Sequence, residues 1–364
     1  MHRKYWYWIN NIEGIGNAKI RHLLSRFGDP ETVFNSEQRE LEELPNLNDR
    51  DVENIFSKEN KQKILEEFER DIEKGKNFVF PDESEYPEGL REIYDKPYVL
   101  YYRGGLPGKK DRNIGIVGSR NCSFYGKRMA EELGRILGSR GFNVVSGLAL
   151  GIDVEAHRGT IMAGGRTYAV LAGGTDLCYP RQNYNTYVDI LKSGGIISEY
   201  RDGTRTTPGM FPLRNRIISG LCEAVIVVEA GVNSGSLITA NYALEQNKRV
   251  FAVPGRVGDA CSLGTNNLIW QGAEIITSFD SFLTSLEGNN EQCPGIGEED
   301  RTNIALATNE KMLYNLLLDF SPKSLDTIFS ESGMLMKDVF TGLMSLELRG
   351  LIREVSKNFY VRIG

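Results

Sequence analysis

Between residues 113 and 276 the chain breaks into short apolar runs, each followed by a glycine-rich turn and most by a helical stretch. The runs cover 114–117, 143–146, 168–171, 196–199, 224–229, 249–253 and 274–276. A strand with one wet face alternates apolar and polar residues, and runs such as IGIV and AVIVV do not. They read as strands buried on both faces, as when helices cover a parallel sheet. The stretch 125–139 supplies such a cover, with Met129, Leu133, Ile136 and Leu137 on one helical face. The expected fold is α/β, an extended Rossmann-like parallel sheet.

The flanks differ from this centre. Residues 1–75 alternate apolar and charged positions at helical spacing and read as a small helical domain. Within it, Gly14-Ile15-Gly16 precedes a helix, as in helix-hairpin-helix elements, though a plain capping turn explains it as well. The Rossmann-like domain is expected over 76–286. Residues 287–303 have a linker composition, rich in Gly, Pro and acids. In 304–364, helices over 311–320, 324–330 (capped by Ser324) and 334–349 lead into strand-like pieces at 351–355 and 359–362. Three helices and a hairpin are the order of a winged-helix domain.

The 43 Lys+Arg against 49 Asp+Glu leave a formal charge of -6, so the whole molecule repels nucleic acid at long range. Any polyanion must be held by a local basic cleft. Five scattered cysteines without a C-x-x-C pair argue against a disulfide framework and a structural metal. No apolar run approaches the roughly 18 residues of a membrane span, and the start lacks a signal-peptide core, so a cytoplasmic location is expected.

Function concentrates where the runs end. The loops Gly118-Ser119-Arg120, Ser146-Gly147, Gly173-Gly174 and Ser234-Gly235-Ser236 all follow strands. In an open parallel sheet these carboxyl ends form the rim where ligands bind, and glycine lets backbone amides approach an anion. Neither G-x-G-x-x-G nor a Walker loop is present, so no cofactor is expected. Phosphate would instead be held by Arg120, with Arg214 and Arg216 adding charge from the start of another helix. Asp153, His157 and Glu229 are expected to shape the pocket rather than to move protons.

The strings IGIVGSR (114–120), SGLALGIDVEAH (146–157), AVLAGGTDLCYP (169–180), FPLRNRIISGL (211–221), VEAGVNSGSLITA (228–240), VFAVPG (250–255) and GTNNLIWQGA (264–273) resemble the DNA-processing protein A family, DprA or Smf. With the lead-in YPEGLREIYDKPYVLYYRG, the resemblance covers about residues 80–285. It implies a homodimeric cytoplasmic protein that binds and protects incoming single-stranded DNA in natural transformation and loads the recombinase RecA. It also implies a DNA pocket containing Arg120, Phe211, Arg214 and Arg216, with Asn215 inside the same FP-x-RNR motif and Phe211 offering a stacking face.

A rival reading is an enzyme related to the lysine-decarboxylase-like (LOG) phosphoribohydrolases, which use a glutamate in PGG-x-GT-x-x-E. The corresponding string here is NSGSLIT (233–239), so Thr239 stands where that glutamate would be. A hydroxyl cannot do a carboxylate's work at neutral pH. Two departures from the family pattern bear on binding. No lysine precedes Phe211 in TTPGM (206–210), which predicts a lower DNA affinity, and the third helix of the last domain carries balanced charges, unlike a groove-reading helix.

Overall fold

In a computed structural model, residues 2–287, 306–317 and 321–362 are described. The expected linker 287–303 thus lies outside the described residues apart from Glu287, as do Phe320 and Cys293. The described chain divides into two compact units, the larger comprising residues 1–122 and 130–277.

The larger unit is built on a nine-stranded sheet. Its strands are β1 (Asn77–Val79), β2 (Leu100–Gly104), β3 (Asn113–Val117), β4 (Asn143–Ser146), β5 (Thr167–Leu171), β6 (Gly195–Ser198), β7 (Ala224–Val227), β8 (Arg249–Ala252) and β9 (Glu274–Ile275). They lie in the order β1-β2-β6-β5-β4-β3-β7-β8-β9. β3 to β9 run parallel, whereas β1 and β2 pair antiparallel at one edge. Every residue of β3, β4, β5, β6 and β7 is buried, which is why their sequences carry no alternation.

The chain leaves β3 on one side to build β4, β5 and β6, then crosses back to lay β7 against the other side of β3, Gly115 opposite Val225. That reversal between β3 and β7 is the topological switch point of a Rossmann-like sheet. The helices Ile152–Met162, Tyr184–Ser193, Met210–Leu221, Gly235–Glu245 and Leu263–Trp270 connect the strands.

Helices between Arg3 and Glu73 precede the sheet. Their apolar faces share one core with the edge strands, in which Tyr7, Trp8, Ile20 and Leu23 join Phe78, Phe80, Tyr98 and Tyr101. The Gly14-Ile15-Gly16 turn caps the helix Asn17–Phe27, and Gly14 needs its positive φ of 82°. Lys19 Nζ donates to the Gly14 carbonyl at 2.9 Å and also pairs with Asp51.

Residues 306–317 and 321–362 form their own core around Leu313, Ile328, Val339, Leu343, Leu346 and Ile352. The elements are helix Thr308–Leu316, β10 (Lys323–Ser324), helix Leu325–Ser332, helix Met336–Leu348, β11 (Ile352–Ser356) and β12 (Phe359–Arg362). β12 lies between β10 and β11. Ser324 caps its helix as expected, its side chain accepting from the Thr327 amide. The two-residue β10 is too short to have a sequence signal. Among the described residues no helix is long and apolar enough to cross a membrane.

Candidate nucleic-acid interface

At the switch point a cleft of about 630 Å³ opens on the carboxyl ends of β3 and β7. Of the expected binding residues it is lined by Gly118, Ser119, Arg120, Phe211, Arg214, Asn215, Ser234, Gly235 and Ser236. Ser146, Gly147, Gly173, Gly174 and Arg216 are not on its wall.

Three loops build the cleft. The Ser119 amide donates to the Glu229 carbonyl at 2.7 Å, tying the loop after β3 to the end of β7. Ser234 caps the helix Gly235–Glu245, its hydroxyl accepting from the Ser236 amide, so the positive end of that helix faces the cleft. Asn215 joins these parts, donating to the Gly235 carbonyl at 3.2 Å and accepting from Arg214 Nε at 3.1 Å.

The expected glycines divide by what surrounds them. A Cβ on Gly235 would meet nothing within 4 Å, so this residue presents open backbone to the cleft. A Cβ on Gly118 would lie 2.9 Å from Ile152 Cβ and 3.0 Å from the Glu229 carbonyl, so this glycine serves packing between strand end and helix. Gly147 is glycine because the Arg214 guanidinium lies against it, Cζ 2.6 Å from where a Cβ would stand. Gly173 and Gly174 pack on the loop of residues 201–206.

The three arginines also separate. Arg120 is exposed, its guanidinium 4.7 Å from the centre of the Phe211 ring, and Tyr179 lies 5.9 Å away on the same ring. Together they form a cluster of one cation and two aromatic faces at the cleft mouth. Arg214 is 5% exposed and turns inward, donating from Nη1 to the carbonyls of Gly147, at 2.9 Å, and Val170. Burial pushes Arg214 down to about 10, against the opposing charge of Asp153, so it stays cationic at neutral pH. Arg214 still lines the cleft, so its positive charge reaches it although Nε and Nη1 are engaged.

Arg216 does not reach the cleft. It is 3% exposed, with Nη2 on both Glu199 oxygens (2.7 and 2.8 Å) and Nε on Asp95 at 3.0 Å. Glu199 also accepts from Asn17 at 2.7 Å, and Asp95 lies 3.6 Å from Arg21. The expectation that Arg216 supplies free charge to the pocket is therefore corrected: it is an internal tie between the helix Met210–Leu221 and the N-terminal helices. The reason is geometric, since residues two apart on a helix point about 200° apart and cannot both face one cleft.

Asp153 lines the cleft floor, accepting from the amides of Gly147 (3.1 Å) and Ala149 (3.4 Å). Burial raises its carboxyl, with Arg214 and those amides opposing. His157 sits one turn deeper and is fully buried, Nδ1 2.7 Å from the Thr167 hydroxyl at the other end of the sheet. That hydroxyl donates to the Val144 carbonyl, so Nδ1 is assigned the proton. Burial lowers His157 to about 3, which leaves it neutral, and no acid–base pair with Asp153 exists in this geometry. Thr239 is buried in the cleft wall, a hydroxyl at the position where the rival reading needs a carboxylate. Ser146 is wholly buried and donates to the Ile116 carbonyl, and Glu229 is buried at the end of β7. Tyr179 escaped sequence reasoning, as no spacing or composition singles it out.

Arginines around the sheet are mostly paired, including Arg201 just past β6, which meets Glu67 and Asp71, but a set at the carboxyl rim is not. At the amino edge Arg112, Arg166 and Arg249 each pair with a carboxylate, Glu223, Asp111 and Glu274. At the carboxyl rim Arg120, Arg181, Arg205 and Arg256 are all exposed, and none has an ion-pair partner among the described residues.

Fold and cleft together define a Rossmann-like protein with an unneutralised cationic rim and a helix N-terminus at its switch point, the arrangement that suits a phosphate-bearing ligand. The chain belongs to the DNA recombination-mediator protein A family, whose sequence profile matches residues 77–287. It is 35% identical to protein Smf of Synechocystis, covering 96% of this chain and 96% of that one. Among solved structures it resembles DNA processing protein A from Streptococcus pneumoniae, with a TM-score of 0.63 and 33% identity over 77% of this chain and 97% of that chain. It also resembles the Helicobacter pylori protein of that name, studied for its single-stranded DNA binding mode, with a TM-score of 0.52 and 29% identity over 58% of this chain and 96% of that chain.

Proposed function

We propose that the cleft and the rim around it bind single-stranded DNA, and that the protein works by holding the strand rather than by cleaving it. The observation that carries this is the row of unpaired guanidinium groups on the carboxyl edge, set against the neutralised arginines of the amino edge in a chain of net charge -6. A cation left without a carboxylate on an acidic protein keeps its full attraction for a phosphate. The backbone would run past Arg120, Arg181, Arg205 and Arg256, with the amides at Ser234-Gly235-Ser236 meeting one phosphate. A base would stack on Phe211 and Tyr179, which recognises any base by its π-face and so carries little sequence preference. The inward-turned Arg214, the amide-bound Asp153 and Thr239 leave the site without a nucleophile–base pair.

In this reading the protein is a cytoplasmic homodimer that protects incoming strands in natural transformation and homologous recombination and loads RecA onto them. Residues 1–75 and 76–286 act as the helical and DNA-holding domains, and 304–364 as a winged-helix module. Family membership supports it, as does the likeness to the H. pylori protein with its single-stranded DNA binding mode.

The test is fluorescence anisotropy of a labelled oligo(dT) across a salt series, for wild type and Arg120→Ala. Loss of one phosphate contact on a single strand flattens the slope of log affinity against log salt by about 0.7. An unchanged slope and affinity in Arg120→Ala removes the cleft from the binding path. RecA assembly on the same strand, with and without the protein, tests the loading step.

A further inference from the structure

In the C-terminal unit, the helix Met336–Leu348 turns Val339, Leu343 and Leu346 into the core. On its outer face Met336, Phe340, Met344 and Leu348, each four residues from the next, are 36, 49, 68 and 85% exposed. Leu335, just before the helix, is 74% exposed. A groove of about 830 Å³ runs along this face, with Glu354 and Tyr360 of the β11–β12 hairpin on its other wall. An apolar stripe over three helical turns in water is a surface that lacks its partner.

The charges around the stripe say which partner fits. Lys337 flanks its start and Glu347 its end, and Lys337 has no ion-pair partner among the described residues. A helix reading a nucleic-acid groove would present cations, whereas this face is apolar with one acid and one base at opposite ends. Laid antiparallel on a copy of itself about a two-fold axis at Gly342, the helix sets Met336 against Leu348, Phe340 against Met344, and Lys337 against Glu347. One register satisfies both the apolar and the charged positions, as an isologous contact requires.

We propose that this face is a self-association surface, the helix Met336–Leu348 of one copy seated antiparallel on the same helix of a second. The contact is separate from the rim and from any self-association of the larger unit.

The experiment is sedimentation velocity of the full chain over a concentration series. Wild type shows an association step that Met344→Asp weakens while other association is untouched. Each side chain occurs twice in the contact, so the variant weakens the step by more than about tenfold. Because Met344 is exposed, the variant folds, which an unchanged thermal melt verifies. Lys337→Glu weakens the same step, and K337E combined with E347K restores it. Oligo(dT) affinity of Met344→Asp equals that of wild type, and Arg120→Ala retains the step, which separates this surface from the DNA reading. Identical sedimentation of wild type and Met344→Asp overturns the proposal, as does a double charge swap no better than K337E alone.

Discussion

Replacing Arg216 with alanine separates a structural cation from a ligand-binding one. The guanidinium is 3% exposed and held by Glu199 and Asp95, so its removal strands Glu199, whose remaining described partner is Asn17. Breaking a buried pair from one side costs roughly 3–5 kcal/mol. Asp95 is half-exposed and water can serve it, which places the expected loss at the lower end, about 3 kcal/mol. For a unit of this size that is a fall in Tm of roughly 6–12 °C. Urea denaturation should show a lower midpoint with an unchanged slope. Oligo(dT) affinity at a temperature where the variant is folded should equal that of wild type. R216M with E199Q should recover part of the loss, since no uncompensated charge then remains. A variant with wild-type Tm and impaired DNA binding would refute the reasoning, because it would put Arg216 on the ligand.

Two further outcomes test the cleft and the core beneath it. Phe211→Leu removes the stacking face but no charge, so oligo(dT) affinity should fall by about 1–3 kcal/mol with the salt slope unchanged, as read by anisotropy. His157 is lowered to about 3 in the folded protein against an ordinary 6.5, so the unfolded chain binds the extra proton between those values. Stability from this residue is therefore full above about pH 6.5 and is lost as pH falls toward 3. His157→Gln should flatten the loss of Tm over that window, whereas a profile unchanged by the substitution would mean the imidazole is not the titrating group.

The central sheet was legible because burial on both faces leaves a direct trace, an unbroken apolar run. Strands β4 and β12 fall where the runs place them, and the others of the parallel set differ by a residue or two. The edge strands β1 and β2 were missed for the complementary reason. β1 has three residues, and Tyr101 of β2 packs on the helical core, a context that only tertiary structure supplies. The rim loops were legible as small residues after strands, but not the task of each glycine: Gly118 and Gly235 look alike in sequence, yet one is packed and the other open. The arginines of FPLRNR show where composition misleads. Both look available in the string, and helical geometry turns Arg214 inward and Arg216 to the far side. Arg181, Arg205 and Arg256 carry no motif, and their lack of partners shows only in three dimensions.

The salt dependence of oligo(dT) binding by a variant with Arg120, Arg181, Arg205 and Arg256 all changed to alanine tests the account most directly. If each arginine holds one phosphate, the slope of log affinity against log salt flattens by about 2.8 relative to wild type, and little affinity remains at moderate salt. A variant that keeps the wild-type slope would contradict the account, since the strand would then be held somewhere other than the carboxyl rim.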